Sequence, residues 1–216
     1  MKIGVLGTGM VGQTIGSKLI ELGHEVKLGA RNADNEKASA WSDKAGSRAS
    51  HGTFADAAAF GELLFHCAVG AAALEVLAAA GDANLSNKVL VDVSNPLDYS
   101  KGMPPTLLVT NDDSLGERIQ RAHPALRVVK TLNTVNCSVM VNAGRVAGGD
   151  HTMFLCGNDA SAKASVRELL TGGFGWKDVI DLGDITNARA TEALLPIWVR
   201  LWGVLKTGDF NFKVMR

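Results

Sequence analysis

The chain has 216 residues, 46% of them apolar, and its 22 basic side chains are balanced by 22 acidic ones. That length holds one large domain, or one domain with a small appendage. A formal charge of zero argues against nucleic acid and against a membrane surface as partners, because both are bound through surplus Lys and Arg.

In chain order, the first apolar run, Lys2-Ile3-Gly4-Val5-Leu6, has no basic leader or cleavage site before it, which leads us to expect a cytoplasmic protein. Strands are expected at about 2–6, 25–29, 51–54, 62–69, 88–94, 127–132, 151–157 and 178–182. Helices are expected between most of them, near 10–22, 34–46, 55–60, 70–81, 114–123 and 159–172. This alternation predicts an α/β fold of Rossmann type, with a doubly wound, mainly parallel sheet covered on both faces. The uncharged stretch Leu63 to Leu74 is about 12 residues long, short of the ~20 that span a bilayer. Segment 97–113, Pro-rich at Pro104-Pro105, reads as a surface loop, and 134–148 has no assignable period. Cys67, Cys137 and Cys156 are odd in number and far apart; they fit neither a disulfide framework nor a metal site and read as core filler.

The composition shifts near Asp184, dividing the chain into a nucleotide-binding part, 1–184, and a docking or dimerisation element, 185–216. A helix is expected from Ile185 to Leu205, with Leu194, Trp198, Leu201, Trp202 and Leu205 forming an apolar stripe. Thirty-two residues cannot enclose a core of their own, so the stripe is expected to dock on the main domain or on a second copy, a homodimer.

The strongest local signal is Gly7-Thr8-Gly9-Met10-Val11-Gly12, between the first strand and the first helix. In that setting Gly7 allows the tight turn, Gly9 admits a pyrophosphate to the backbone, and Gly12 lets helix pack on strand. The helix N-terminus adds amide donors and a positive dipole.

About 20 residues on, a dinucleotide fold selective for NAD carries an acidic residue for the ribose hydroxyls. This chain reads Leu28-Gly29-Ala30-Arg31-Asn32 there. With no carboxylate to repel a 2′-phosphate and Arg31 able to pair with one, the pattern predicts NADP(H). Thr8 offers a hydroxyl to the same phosphate.

Ligands of such sheets lie beyond the carboxyl ends of the strands. Those ends read Cys67-Ala68-Val69-Gly70, Asp92-Val93-Ser94-Asn95-Pro96 and Lys130-Thr131-Leu132-Asn133-Thr134. Small and amide-bearing residues suit a flat nicotinamide and its ribose, so Ala68, Val69, Gly70, Asn95, Asn133 and Thr134 join the candidate contacts; simple turn chemistry is the competing reading of Asn95 and Asn133. No metal-ligand spacing, nucleophile motif or P-loop is present, and the five histidines share no spacing. No catalytic residue and no metal ligand is assigned. His66, late in its strand, either reaches the cofactor or is hidden in the core by strand alternation.

In order and spacing these segments, with Leu22-Gly23-His24-Glu25-Val26 and Phe154-Leu155-Cys156-Gly157-Asn158-Asp159, resemble the deazaflavin-dependent NADP reductases and the related oxidoreductase domain of six-transmembrane metalloreductases. The resemblance implies NADPH held by Thr8 to Val11, with Ala30 and Arg31 at the 2′-phosphate, and a deazaflavin or flavin as co-substrate. Ala30 and Asn35 stand where those reductases commonly carry Ser and a basic residue, and Cys67-Ala68-Val69-Gly70 replaces a Pro-containing turn. Asn32 and Asn35 are the remaining polar candidates on that loop. The implied reaction is direct hydride transfer between nicotinamide and a small ring acceptor, walled partly by Trp198 and Trp202. Two other readings are open: an NADP(H)-sensing module without turnover, and a small hydroxyacid or imine dehydrogenase. The second usually needs a larger helical domain with a catalytic Lys or His.

Overall fold

Strand β1 (Lys2–Leu6) lies near the middle of an eight-stranded sheet, paired in parallel with β2 (Glu25–Ala30) on one side and β4 (Leu63–His66) on the other. The computed structural model describes residues 1–216. Beyond β2 lies β3 (Ala49–Thr53); beyond β4 lie β5 (Val89–Asp92), β8 (Arg127–Thr131), β9 (Thr152–Cys156) and β10 (Asp178–Asp181). Within this sheet only the β8–β9 pair is antiparallel. The order reverses at β1 and β4, so a crevice opens beyond their carboxyl ends. The fold class is the expected doubly wound α/β sheet.

Helices α1 (Met10–Glu21), α2 (Glu36–Ala45) and α8 (Ala160–Glu168) cover one face. Their core includes Val5, Phe65, Val91 and Val129 from the sheet, with Ile15, Leu19, Trp41 and Val166 from the helices. On the other face α3 (Phe54–Phe60), α4 (Ala73–Ala80), α5 (Asp82–Leu85) and α6 (Leu115–Ala122) pack on Leu6, Leu64, Leu90 and Val128. Strands buried on both faces explain why their sequences read as continuous apolar runs.

The sequence boundaries hold to within a few residues, and the exceptions have local causes. β3 ends at Thr53 because Thr53 and Asp56 form a reciprocal cap that starts α3 at Phe54. The expected loop 97–113 contains a two-stranded antiparallel ribbon, β6 (Leu97–Asp98) and β7 (Thr106–Leu107). The stretch 134–148 holds the single turn α7 (Cys137–Met140), begun by Asn136 accepting from Ser138 N, followed by 3-10 turns. The helix expected over 185–205 is broken into a 3-10 turn (Ile185–Asn187), α9 (Ala188–Ala193) and α10 (Leu195–Leu205). Pro196 has no N–H to continue the ladder, so the chain restarts with proline in the first turn of α10. The buried residues of α10 are Leu195 and Val199; Trp202 and Leu205 of the expected stripe are half exposed.

After α10 the chain has no regular structure, yet it is well tied. Thr152 N donates to the Phe212 carbonyl at 3.0 Å, Arg145 pairs with Asp209 at 2.8 Å, and Phe210 stacks on Trp198 with ring centres 5.2 Å apart.

Candidate functional site

The turn from β1 into α1 is built around glycine for two steric reasons. Gly7 has φ +132, and a Cβ on Gly12 would sit 2.1 Å from the Gly7 carbonyl oxygen. Gly9 differs, because a Cβ there would meet nothing within 4 Å. The space over Gly9 is open, no side chain caps α1, and the N–H groups of Met10, Val11 and Gly12 have no protein partner. Free amides at a helix start beside an open surface are what a pyrophosphate needs, so these residues fit the dinucleotide. Thr8 keeps the turn in shape by accepting from Gln13 Nε2 at 2.9 Å through its carbonyl.

Ala30 is buried at the end of β2, leaving only its backbone to face a ligand. Arg31 and Asn32 are exposed beyond it. The Arg31 guanidinium reaches across the crevice to Glu75 on α4, at 2.9 Å, with both side chains largely in solvent. Such a pair is worth about 0–1 kcal/mol, so a phosphate dianion can displace it. Asn35 is partly spent: its Oδ1 caps α2 by accepting from Ala38 N at 3.0 Å, and only its amide nitrogen remains as a donor.

A cavity of about 680 Å³ opens beside Gly9, Met10 and Val11. Ala68, Val69 and Gly70 form one wall and Asn95 and Asn133 part of its floor. The two asparagines clamp each other: Asn95 Nδ2 donates to the Asn133 carbonyl at 2.8 Å, and Asn133 Nδ2 donates to Asn95 Oδ1 at 3.0 Å. Thr134 lies behind this surface, buried, with its hydroxyl unpartnered. Leu195, Trp198, Val199 and Trp202 of α10 form a further wall, and Tyr99 and Met103, from the segment joining the two ribbon strands, also line the cavity. No Asp, Glu, His, Lys or Arg lines the cavity.

Sequence reasoning missed Tyr99 and Met103, because the ribbon that carries them reads as loop. It also missed Asn136, Cys137 and Met140, which line the cavity from the unassigned segment. The Asn-x-Ser spacing at Asn136 and Ser138 was the available signal, a short helix cap.

His66 does not reach the cavity. Register aligns Leu6, His66, Asp92, Lys130 and Cys156 in one row across the sheet, so these side chains share a face beneath the strand ends. His66, Asp92 and Lys130 have no exposure. Asp92 accepts from His66 Nδ1 at 3.0 Å, from Ser94 Oγ at 2.7 Å and from Lys130 Nζ at 2.8 Å. Burial pushes the Asp92 carboxyl up, but the Lys130 ammonium and the His66 contact outweigh it and hold Asp92 well below the usual carboxylate range. Beside it, burial and the Asp92 charge push the Cys67 thiol up, so Cys67 meets the cavity as a neutral, weakly polar group. Cys137 and Cys156 are buried and unpaired.

No group of three or more His, Cys, Asp or Glu could hold a metal ion, and no helix is long and apolar enough to cross a membrane.

Residues 2–96 match the family described as NADP oxidoreductase coenzyme F420-dependent. The crystal structure of a putative F420-dependent NADP-reductase from Arthrobacter sp. FB24 is 53% identical, with 100% of both chains covered and a TM-score of 0.95. The metalloreductase STEAP3 of Rattus norvegicus is 28% identical over 202 residues, 91% of this chain; the chain spans 38% of the length of that relative. A reductive aminase from Aspergillus terreus, solved with NADPH and ethyl-5-oxohexanoate, shares the fold at 20% identity and a TM-score of 0.67, covering 95% of this chain and 62% of the aminase.

Proposed function

This chain belongs to the coenzyme F420-dependent NADP oxidoreductases, and we propose that it moves hydride between NADP(H) and a flat ring acceptor of deazaflavin or flavin type lodged in the 680 Å³ cavity. The observation that carries this reading is the lining of that cavity. Hydride delivered to a carbonyl or imine carbon leaves a centre that must also be protonated, and enzymes supply that proton from a positioned acid. A deazaflavin or flavin ring spreads the charge it receives over its conjugated system and takes its balancing proton on a ring nitrogen from water, so it asks the protein mainly for orientation. The cavity offers apolar and aromatic surface and an amide pair, has no carboxylate, imidazole or ammonium, and carries the Tyr99 phenol as its one acidic hydroxyl.

When bound, NADPH supplies the hydride. The chain's own residues do the rest by binding and exclusion. The amides of Met10, Val11 and Gly12 receive the pyrophosphate, and Arg31, released from Glu75, receives the 2′-phosphate. The Asn95–Asn133 pair, with Val69 and Gly70 beside it, would hold the nicotinamide. Trp198, Trp202, Met10, Tyr99 and Met103 line the same cavity, where a second ring displaces water and stacks. Met10 and Trp202, 73% and 45% exposed, are side chains such a ring would cover. The same coverage argument suits Ile197, Val204 and Leu205 on the outer side of α10, where a second copy of the chain is the proposed occupant.

The function is tested by mixing the protein with NADPH and, in turn, deazaflavin, flavin, imine and 2-oxoacid acceptors while following the nicotinamide absorbance. Oxidation by the ring acceptors alone supports the proposal.

A further inference from the structure

Lys130 is a cation near the end of β8, between Val129 and Thr131, and is completely buried. A lysine in that position is costly unless every proton on its ammonium finds an acceptor. Here all three do. Nζ donates to Asp92 Oδ2 at 2.8 Å, to the Ser94 carbonyl at 2.6 Å, and pairs with Glu192 Oε1 at 2.9 Å. The three partners come from three places: the end of β5, the loop that leads to Asn95, and α9.

Glu192 extends the chain of contacts. Its carboxylate also accepts from Leu115 N at 2.8 Å and Gly116 N at 3.0 Å, the first turn of α6. α6 and α9 are joined a second time by Arg189, whose Nε and Nη2 lie 2.8 and 2.6 Å from the Glu117 carboxylate. These two helices therefore form a linked pair, and Lys130 is the charged tie between that pair and the sheet. One more bond, Asn133 Nδ2 to the Thr191 carbonyl at 3.1 Å, joins α9 to the floor of the cavity. α10 follows α9 directly and carries Trp198, Val199 and Trp202, which line the same cavity as Val69 and Gly70.

We propose that Lys130 is a positioning residue for the acceptor side of the cavity: held by Asp92 and Ser94 at the strand ends, it fixes α9 through Glu192 and so sets the distance of the α10 wall from the nicotinamide floor. The proposal rests on the acceptor site argued above. It separates two parts of the molecule, because the pyrophosphate turn at Gly7–Gly12 and the Arg31 loop share no hydrogen bond or ion pair with Lys130, Asp92 or Glu192. Loss of the tie loosens the acceptor wall and leaves the dinucleotide cradle in place.

Two variants and two measurements test it. Lys130→Met removes the cation; Glu192→Gln keeps Lys130 paired with Asp92 and weakens the arm to α9, together with one of the two α6 amide contacts, so it remains informative if the first variant does not fold. Hydrogen–deuterium exchange on the ligand-free protein needs no acceptor: amides of 188–205 are expected to exchange about tenfold faster or more, with those of 2–53 unchanged. Steady-state kinetics with a deazaflavin acceptor are expected to show acceptor KM raised by about tenfold with NADPH affinity within about twofold of the parent. Unchanged exchange at 188–205, or equal acceleration at 2–53, overturns the proposal, as does an equal loss for acceptor and NADPH. If the parent protein oxidises NADPH with no ring acceptor, the functional reading fails while the exchange experiment still decides the role of Lys130.

Discussion

Asn95 and Asn133 bind each other twice, side-chain amide to carbonyl in both directions, at 2.8 and 3.0 Å. The pair joins the loop after β5 to the loop after β8, and both residues line the cavity. An isolated asparagine in either loop would be turn chemistry; the reciprocal pair is a floor. Asn133→Ala strands the Asn95 carbonyl oxygen and the Thr191 carbonyl together, each losing its donor. We expect a loss of about 1–3 kcal/mol in urea unfolding and slower turnover at saturating NADPH. Unchanged stability would show that the pair is not formed.

Gly9→Ala and Gly12→Ala separate fold from ligand. A methyl at Gly9 meets nothing, so stability should stay within about 0.5 kcal/mol, while the methyl occupies the space of the pyrophosphate and weakens NADPH binding by about tenfold or more. A methyl at Gly12 is driven into the Gly7 carbonyl, and that protein should unfold at markedly lower denaturant. Thermal melts with and without NADPH distinguish the two.

Arg31 and Glu75 predict opposite effects on cofactor choice. Arg31→Ala removes a charge-assisted contact worth about 1.5–3 kcal/mol, an expected loss of about 10- to 150-fold for NADPH and little for NADH. Glu75→Gln frees Arg31 and removes a negative charge from the crevice, so NADPH should bind up to about fivefold more tightly. Titrations of both nucleotides check this; equal losses for NADPH and NADH in Arg31→Ala contradict a 2′-phosphate role.

The buried row predicts a pH dependence. Burial would raise the Asp92 carboxyl, but Lys130 and His66 hold it below its ordinary 3.8; burial would lower Lys130, but Asp92 and Glu192 hold it above its ordinary 10.5. A depressed acid gives stability above its unfolded value that is lost as pH falls through its folded value, and a raised base gives stability that is lost only as pH rises through its folded value. Stability from this pair is therefore level between about pH 5 and 9 and declines below about pH 4. Unfolding free energies measured across that range should show a shallower acid decline in Asp92→Asn than in the parent.

Much of this molecule is legible from sequence because its signals are local. Gly7, Gly9 and Gly12 lie in one turn, and the missing acid before Arg31 is visible at a known distance from it. The apolar strands announce themselves by composition. What sequence conceals is formed by residues far apart: Asp92, Lys130 and Glu192 meet only because β5 and β8 are neighbours and α9 folds back over them. Lys130 does carry a trace in the sequence, a cation following Val128 and Val129 in a strand, which asks for a buried partner without naming it. The ribbon bearing Tyr99 and Met103 is hidden for a similar reason, since two-residue strands have no period to read. The break at Leu194 was readable from Pro196, but the apolar repeat through Trp198 and Leu201 masked it.

The aromatic wall gives a further check. Trp202→Ala removes a half-exposed side chain and should leave stability nearly unchanged, while acceptor KM rises by about tenfold, equivalent to ~1.4 kcal/mol of lost contact. NADPH affinity should not move.

The central claim is that the uncharged cavity beside Gly9 accepts a ring to be reduced. Stopped-flow oxidation of bound NADPH, followed at the nicotinamide band against a deazaflavin, a flavin, an imine and a 2-oxoacid, tests it most directly. Rapid oxidation is expected with the deazaflavin or flavin, and none with the imine or the 2-oxoacid. NADPH that binds and is oxidised by neither ring, or is oxidised by the imine alone, would contradict it.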